Sequence, residues 1–398
     1  MNKLTTPTLL IAGFCIGGCT IAIPMVFAKL GIIPGIIITV AMWLLNYYPS
    51  LALAELNLRS ERGLSVGVLG KNLSGRGAQV IGEIAVKLQS YAGLTMYLCG
   101  ASSIIQKLLE EYCNYQASVF SIETSMAVAG IILLLFPLKT VSAVNNLLFS
   151  GLIILFIILL GVMLGFIDYT KMPWIVNPTA NDMLIVCPTI FASFGYQLIL
   201  HTIRDCCGKN ADAFKKSIIF GSLIPTLIYI IWSIVSLSVV FSGNPEFFTQ
   251  MISGKVEVGE FVRELANISS FPSFQIMVWW MSICAILTSF IGVGIGLAES
   301  MDLSLQTHIK ADVPRRLAAA LITVVPSYIV AAVYPNAFIK VLGFAGAMIA
   351  IVGVIMPIYL LLRTGVEKSH YKELKTLPLI ACFIGGLGIM IIEFFMNH

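Results

Sequence analysis

Two stretches of this chain bring backbone groups, rather than reactive side chains, to places where chemistry can happen. The first reads Leu10-Ile-Ala-Gly13-Phe-Cys15-Ile16-Gly17-Gly18-Cys19-Thr20-Ile-Ala-Ile-Pro24. Each interior glycine costs a helix about 1 kcal/mol relative to alanine, and Pro24 withholds an amide hydrogen and crowds the preceding turn. The second reads Pro188-Thr-Ile-Phe191-Ala-Ser193-Phe194-Gly195-Tyr196-Gln197 and is again small, polar and glycine-bearing. Both lie inside apolar runs of membrane-spanning length, about 20 residues. Unwinding there exposes N–H groups where one half-helix begins and carbonyls where the other ends. The N–H groups suit a carboxylate, and the carbonyls suit an ammonium group or a small cation. In a bilayer such groups stay unpaired only where they line a cavity. Close helix packing through small residues explains either stretch alone. The matched pair instead favours a binding site at two helix breaks, built from Gly13, Cys15, Ile16, Gly17, Gly18, Phe191, Ser193, Phe194, Gly195 and Tyr196.

The elements that must hold these breaks are membrane spans. Of 398 residues, 58% are hydrophobic and only 11% charged, with mean hydropathy +0.94; a soluble domain carries roughly 25% charged residues. Apolar runs recur at 7–29, 31–57, 78–109, 118–138, 143–167, 184–203, 216–241, 272–301, 316–334, 336–362 and 375–396. This is an all-α integral membrane chain of about eleven spans forming one transporter domain over 1–398. Five is odd, so two successive five-span units sit in opposite orientations, 7–167 and 184–362, with 375–396 as an extra helix. The first and sixth spans then correspond, and these are the two that carry the defects. The start, Met1-Asn2-Lys3, runs straight into the first span and shows no cleavable signal pattern.

Charge sets the orientation. Lys3 and Lys139, with the clusters Arg59, Arg62, Lys71 and Arg76; Arg204, Lys209, Lys215 and Lys216; Lys310, Arg315 and Arg316; and Arg363, Lys368, Lys372 and Lys375, fall on one side. Only Lys29, Lys107, Lys171, Lys255 and Arg263 fall on the other. The N-terminus is therefore expected in the cytoplasm and the C-terminus outside. In the long outer segment 243–271, Val256, Val258, Phe261, Val262 and Leu265 fit one helical face; a short helix over the outer mouth and a plain connector both accommodate them.

A wider set of residues then resembles a known family, the hydroxy/aromatic amino acid permeases, in their bacterial tyrosine/tryptophan branch. The resemblance runs over nearly the whole chain. It rests on Gly13-x-x-Ile16-Gly17-x-x-x-Ile21-x-x-Pro24; Trp43-Leu-Leu-x-Tyr47-Tyr48 followed by Glu55-x-Asn57-Leu-Arg59; and Phe191-x-Ser193-Phe194-Gly195-Tyr196. Further matches are Gly221-Ser-Leu-Ile-Pro225, Thr288-Ser289-Phe290-x-Gly292-Val293, and Tyr334-Pro335-Asn336-x-Phe338 with Gly343-Phe344-Ala345-Gly346. It implies the five-plus-five inverted-repeat fold of the amino acid–polyamine–cation superfamily. It also implies uptake of tyrosine or tryptophan across a bacterial inner membrane, driven by protons. Two positions depart from the pattern: Gly18-Cys19 replaces the usual spacing of the second glycine, and Gln197 stands where many members carry histidine.

Single residues divide between site and scaffold. Tyr91 and Tyr97 are plausible walls of an aromatic pocket. Thr288 and Ser289 suit a cation beside the first break, or simply bond carbonyls one turn back. Glu55 is a proton-carrying candidate or a partner for a nearby arginine. Glu83 at i−4 offers Lys87 an ion pair, and Glu299 and Asp302 read as interfacial. The coupling cation stays open, with the resemblance implying a proton and the hydroxyls admitting sodium. The nine cysteines lack metal-site spacing, and no phosphate loop or nucleotide domain is present. The chain is read as a transporter that uses no cofactor or metal, not an enzyme, and its partners are an amino acid, a coupling cation and the lipid bilayer, not nucleic acid. A permease of the same fold for serine, threonine or another neutral amino acid is the alternative.

Overall fold

The computed structural model describes residues 4–367 and 369–396; Met1, Asn2, Lys3, Lys368, Asn397 and His398 lie outside the described residues. Among the described residues all regular structure is helical. The chain opens with α1 (Thr5–Cys15) and α2 (Gly18–Phe27), separated at Ile16-Gly17 and bent by 57°. This is the break expected from the glycines. Gly31, at φ 81° and with a Cβ position only 2.9 Å from the Ile175 backbone, then turns the chain into α3 (Ile32–Leu58). A side chain there would strain the backbone and collide with its neighbour at once.

A short α4 (Val66–Ser74) precedes α5 (Arg76–Cys113), α6 (Val119–Leu135) and α7 (Leu138–Met163). The sixth expected span is assembled from pieces: α8 (Ala180–Ile185), α9 (Cys187–Ala192), an irregular turn at Ser193–Gly195, a 3₁₀ turn (Tyr196–Ile199) and α10 (Leu200–Cys207). Next come α11 (Ala211–Gly243), α12 (Pro245–Ile252), α13 (Val258–Ala266), α14 (Pro272–Leu305) and α15 (Asp312–Val333). The chain finishes with α16 (Phe338–Ala350), a π-helical turn (Ile351–Ile355), α17 (Met356–Thr364) and α18 (Thr376–Met396).

Every segment expected to span is helical. Among the described residues, eight helices are long and apolar enough to cross a membrane, and the bent α1–α2 pair makes a ninth. The other two expected spans are α5, 38 residues long with charges toward both ends, and α6, an apolar helix of 17 residues. Exposed apolar side chains such as Leu147, Ile157, Leu377 and Phe395 give these helices a face suited to acyl chains rather than water. The amphipathic pattern at 256–265 is helical as α13, and Phe261, Val262 and Leu265 are buried against α5 and α14.

Four helices are stitched by hydrogen bonds at the level of the breaks. Trp43 Nε1 of α3 donates to Ser222 Oγ of α11 at 3.0 Å. Asn46 Nδ2, also on α3, donates to the Phe191 carbonyl at 3.4 Å, and Gln197 Nε2 donates to Asn46 Oδ1 at 2.7 Å. These bonds tie both halves of the interrupted span to α3.

Charged residues outside the breaks take ordinary structural partners. Arg315 Nε donates to Asp302 at 2.9 Å. The expected Lys87–Glu83 pair does not form among the described residues; Gln79 Nε2 occupies the Glu83 carboxylate instead, at 2.8 Å. Lys215 of α11 bonds Glu373 and holds that carboxyl below its ordinary range, while Tyr48 donates to the Glu373 carbonyl. The segment between α17 and α18 is thereby fixed against α3 and α11.

Candidate functional site

The two breaks face each other across one cavity. Its volume is about 340 Å³, enough for a small organic ligand. Gly13, Cys15, Ile16, Gly17 and Gly18 line it from α1–α2, and Ser193, Phe194 and Gly195 from the interrupted span. Tyr97 lines it from α5, its ring packed so closely on Gly18 that a Cβ there would sit 2.9 Å from Cε1. Thr288 and Ser289 line it from α14.

The other expected site residues lie elsewhere. Phe191 and Tyr196 are fully buried beside the break but do not line the cavity. Tyr196 is turned toward Ser50 and Ser222, on α3 and α11. Tyr91 donates to the Ile322 carbonyl on α15 at 2.9 Å and so forms no wall. Glu55 is fully buried at the far end of α3, where it accepts bonds from Arg59 Nε (2.8 Å) and the His370 amide (2.9 Å). That carboxylate fastens the α17–α18 segment onto α3 and is not among the residues lining the cavity.

Breaking a helix frees backbone groups, and nearby side chains take up several of them. Tyr229 of α11, fully buried, places its hydroxyl 2.7 Å from both the Cys15 and the Ser193 carbonyls. One hydroxyl hydrogen thus serves the two carbonyls that the breaks release. The Cys15 thiol donates to the Phe194 carbonyl at 3.0 Å, joining the breaks directly. On the donor side, the Gly17 amide reaches Thr20 Oγ1 at 3.3 Å and the Gly18 amide reaches Ser289 Oγ at 3.1 Å. Buried peptide groups without partners are costly in a bilayer, so these side chains let the chain stay unwound. Both α14 hydroxyls also donate one turn back, Thr288 to Cys284 and Ser289 to Ala285.

The rest of the lining completes a mostly apolar pocket with a few polar groups. Gln89, Gly93 and Tyr97 recur every four residues on α5 and so share a face. Asn145 and Asn146 form a polar pair at the start of α7, with Phe149 one turn on. Phe14, Leu342, Ala345 and Ile349 add apolar walls, and the displaced Cys19 lies at the break within reach of Tyr97 and Ser193. The α5 repeat and the isolated asparagine pair were visible signals for these positions. Tyr229 left no such signal.

A second cavity, about 370 Å³, lies further along the same axis. Its walls are Met25, Val26 and Lys29 after the first break, Cys99 and Ser103 beyond Tyr97, and Val186 and Thr189 ahead of Ser193. Lys255, Glu257 and Lys340 add charge to it. The same helices therefore wall both cavities at successive levels.

Comparison with known proteins fits this architecture along its full length. The chain is 27% identical over 403 residues to tyrosine-specific transport system 1 of Haemophilus influenzae, covering 99% of this chain and 97% of that protein. It is 27% identical over 397 residues to the low affinity tryptophan permease of Escherichia coli K12, covering 96% and 93%. A more distant relative, glutamine transporter 2 of Aliivibrio fischeri, is 21% identical over 392 residues, covering 93% and 91%. The model of the tryptophan/tyrosine permease family matches residues 1–393, which takes in both breaks and every helix that walls the cavity. On that match the chain belongs to the tryptophan/tyrosine permease family.

Proposed function

We propose that the protein carries an aromatic amino acid, tyrosine or tryptophan, into the cell by alternating access, using the cavity between the two breaks as its binding site. The observation that carries this reading is the meeting of both breaks on one cavity of about 340 Å³. The α2 N-terminus at Gly17-Gly18 turns the positive end of a helix dipole to a carboxylate, which would displace Thr20 Oγ1 and Ser289 Oγ from the two amides. The Cys15, Ser193 and Phe194 carbonyls, each with one lone pair already used, keep a second for an ammonium group. Tyr97, Phe149 and Phe194 give an aromatic side chain rings to pack against.

The transport domain is read as two inverted units, 7–167 and 184–362, plus a last helix at 375–396, because the irregularities fall in the first and sixth spans. The charge distribution supports a cytoplasmic N-terminus in the inner membrane. Coupling to a cation, a proton by family resemblance, completes a symporter.

The existence of a relative named for glutamine favours one rival, a neutral amino acid substrate. Counterflow separates the two. Proteoliposomes preloaded with unlabelled tyrosine or tryptophan are expected to accumulate labelled tyrosine, and external tryptophan is expected to compete at least about tenfold more effectively than serine or glutamine, a difference of about 1.4 kcal/mol. Competition by serine or glutamine but by neither aromatic would falsify the substrate assignment.

A further inference from the structure

Glu123 is the buried carboxylate for which the transport geometry above has no use. It lies in α6, fully buried. Ser102 Oγ, on α5, is 3.3 Å from its Oε1, while Oε2 has no hydrogen-bond partner. No cationic side chain stands within ion-pair distance of it among the described residues.

Its surroundings argue for a neutral acid. From α5, Ser102 and the Cys99 thiol face it. From α15, Tyr328 pairs its hydroxyl with Thr124, the next residue in the chain, at 2.8 Å. The remaining helices packed on α6 are α14, which places Phe290 over Gly130, and α7; neither brings it a charged partner. An ionised carboxylate held this way carries a desolvation cost of several kcal/mol with nothing to offset it, and such groups take a proton instead.

The donor count points the same way. Ser102 has one hydroxyl hydrogen, and its Oγ is 3.0 Å from the Cys99 carbonyl as well as 3.3 Å from Glu123. If Ser102 donates to the closer Cys99 carbonyl, its oxygen is left to accept, and a protonated Glu123 supplies the hydrogen. Both contacts are then satisfied, and the bare Oε2 is the carbonyl oxygen of a neutral acid.

The second cavity reaches the same stretch of α5: Cys99, one turn before Ser102, and Ser103, the residue after it, line that cavity, which charge places on the outer side. It shares no lining residue with the central cavity. We propose that Glu123 is a proton-binding residue of the transport cycle, loaded through the second cavity and neutral whenever α5 and α6 pack around it as they do here. The step is a simple protonation: a carboxylate oxygen takes a proton from hydronium in the second cavity, leaving water, and the neutral acid allows α5 and α6 to pack. That packing then becomes linked to pH, by up to about tenfold per unit for one proton. The inference rests on the transport reading and names the proton-linked residue within it.

The test uses full-length protein in proteoliposomes with labelled tyrosine. Glu123→Gln copies the neutral acid, so tyrosine counterflow at symmetric pH is expected to stay within about twofold of wild type. Accumulation driven by a proton gradient is expected to be lost, and the dependence of uptake on external pH to flatten. Glu123→Asp should keep gradient-driven accumulation with a shifted pH profile. Infrared difference spectra across the pH range should show a protonated-carboxyl band that Glu123→Gln removes. Gradient-driven accumulation in Glu123→Gln with a wild-type pH profile overturns the proposal. So does joint loss of counterflow and accumulation in correctly inserted protein, which would make Glu123 a packing residue. Wild type that fails in aromatic counterflow strikes the transport reading instead.

Discussion

Replacing Gly17 by leucine is expected to cut tyrosine or tryptophan uptake roughly ten- to a hundredfold while the protein still inserts and folds. Even the first carbon of a side chain there would lie 2.1 Å from Ser289 Oγ, the atom that accepts from the Gly18 amide. Ser289 is itself bonded to the Ala285 carbonyl of α14, so it cannot retreat without breaking a second bond. Overpacking of this kind costs about 1–3 kcal/mol, and each 1.4 kcal/mol is a factor of about ten in population or affinity. The cost falls on the break and not on the membrane-embedded surface, so initial rates of uptake should collapse at unchanged membrane content. Gly195→Leu should be the milder change. Its Cβ position is 3.3 Å from Ile349 Cδ1, the far end of a flexible side chain. Wild-type uptake in Gly17→Leu would mean that the approach of α2 to α14 at the break has no part in transport.

Tyr229→Phe is the second change expected to have a large effect, and it removes a single atom. That hydroxyl lies 2.7 Å from both the Cys15 and the Ser193 carbonyls. Without it, two carbonyls released by the breaks have lost a buried donor. Leaving a buried group unsatisfied costs about 1–3 kcal/mol, so transport should fall roughly five- to a hundredfold. The Phe194 ring, stacked edge-on against Tyr229 at 5.6 Å, retains its apolar contact in the variant. The loss is therefore a hydrogen-bond effect and not a cavity. Counterflow measured beside the thermal stability of detergent-purified protein separates the two. A variant that keeps counterflow but melts early would show that Tyr229 supports the fold alone.

The helix breaks were legible because their causes are local. Glycines and a proline weaken the helix they occupy, whatever surrounds it, and α1–α2 bends where they cluster. Apolar run length was enough to place every long helix. What sequence spacing does not give is azimuth across an irregular turn. Phe191 and Tyr196 flank the same break as Ser193 and Gly195, yet the chain's rotation buries them away from the cavity. Tyr229 escaped notice because its partners are 214 and 36 residues away in the chain, and only the packing of α11 brings them together. Glu55 left a proton role and an arginine partner both open in the sequence; the structure bonds it to Arg59 and to His370. Glu123, near the start of its span, carries no sequence signal of its burial, and only the packing of α5 and α15 against α6 encloses it.

The central claim is that one cavity, bounded by both breaks, holds the aromatic substrate. Cys19 is its built-in reporter, because the thiol lines the cavity and is partly exposed. In a variant whose other cysteines are replaced, the rate of Cys19 alkylation by a small maleimide is measured with and without amino acids. Tyrosine or tryptophan is expected to slow labelling at least about tenfold, the factor set by tenfold excess of ligand over its dissociation constant, with serine and glutamine leaving it nearly unchanged. A parallel variant retaining only the exposed Cys113 should label at one rate throughout. Cys19 labelling that no aromatic amino acid slows, in protein active for aromatic counterflow, would place the substrate somewhere other than between the two breaks.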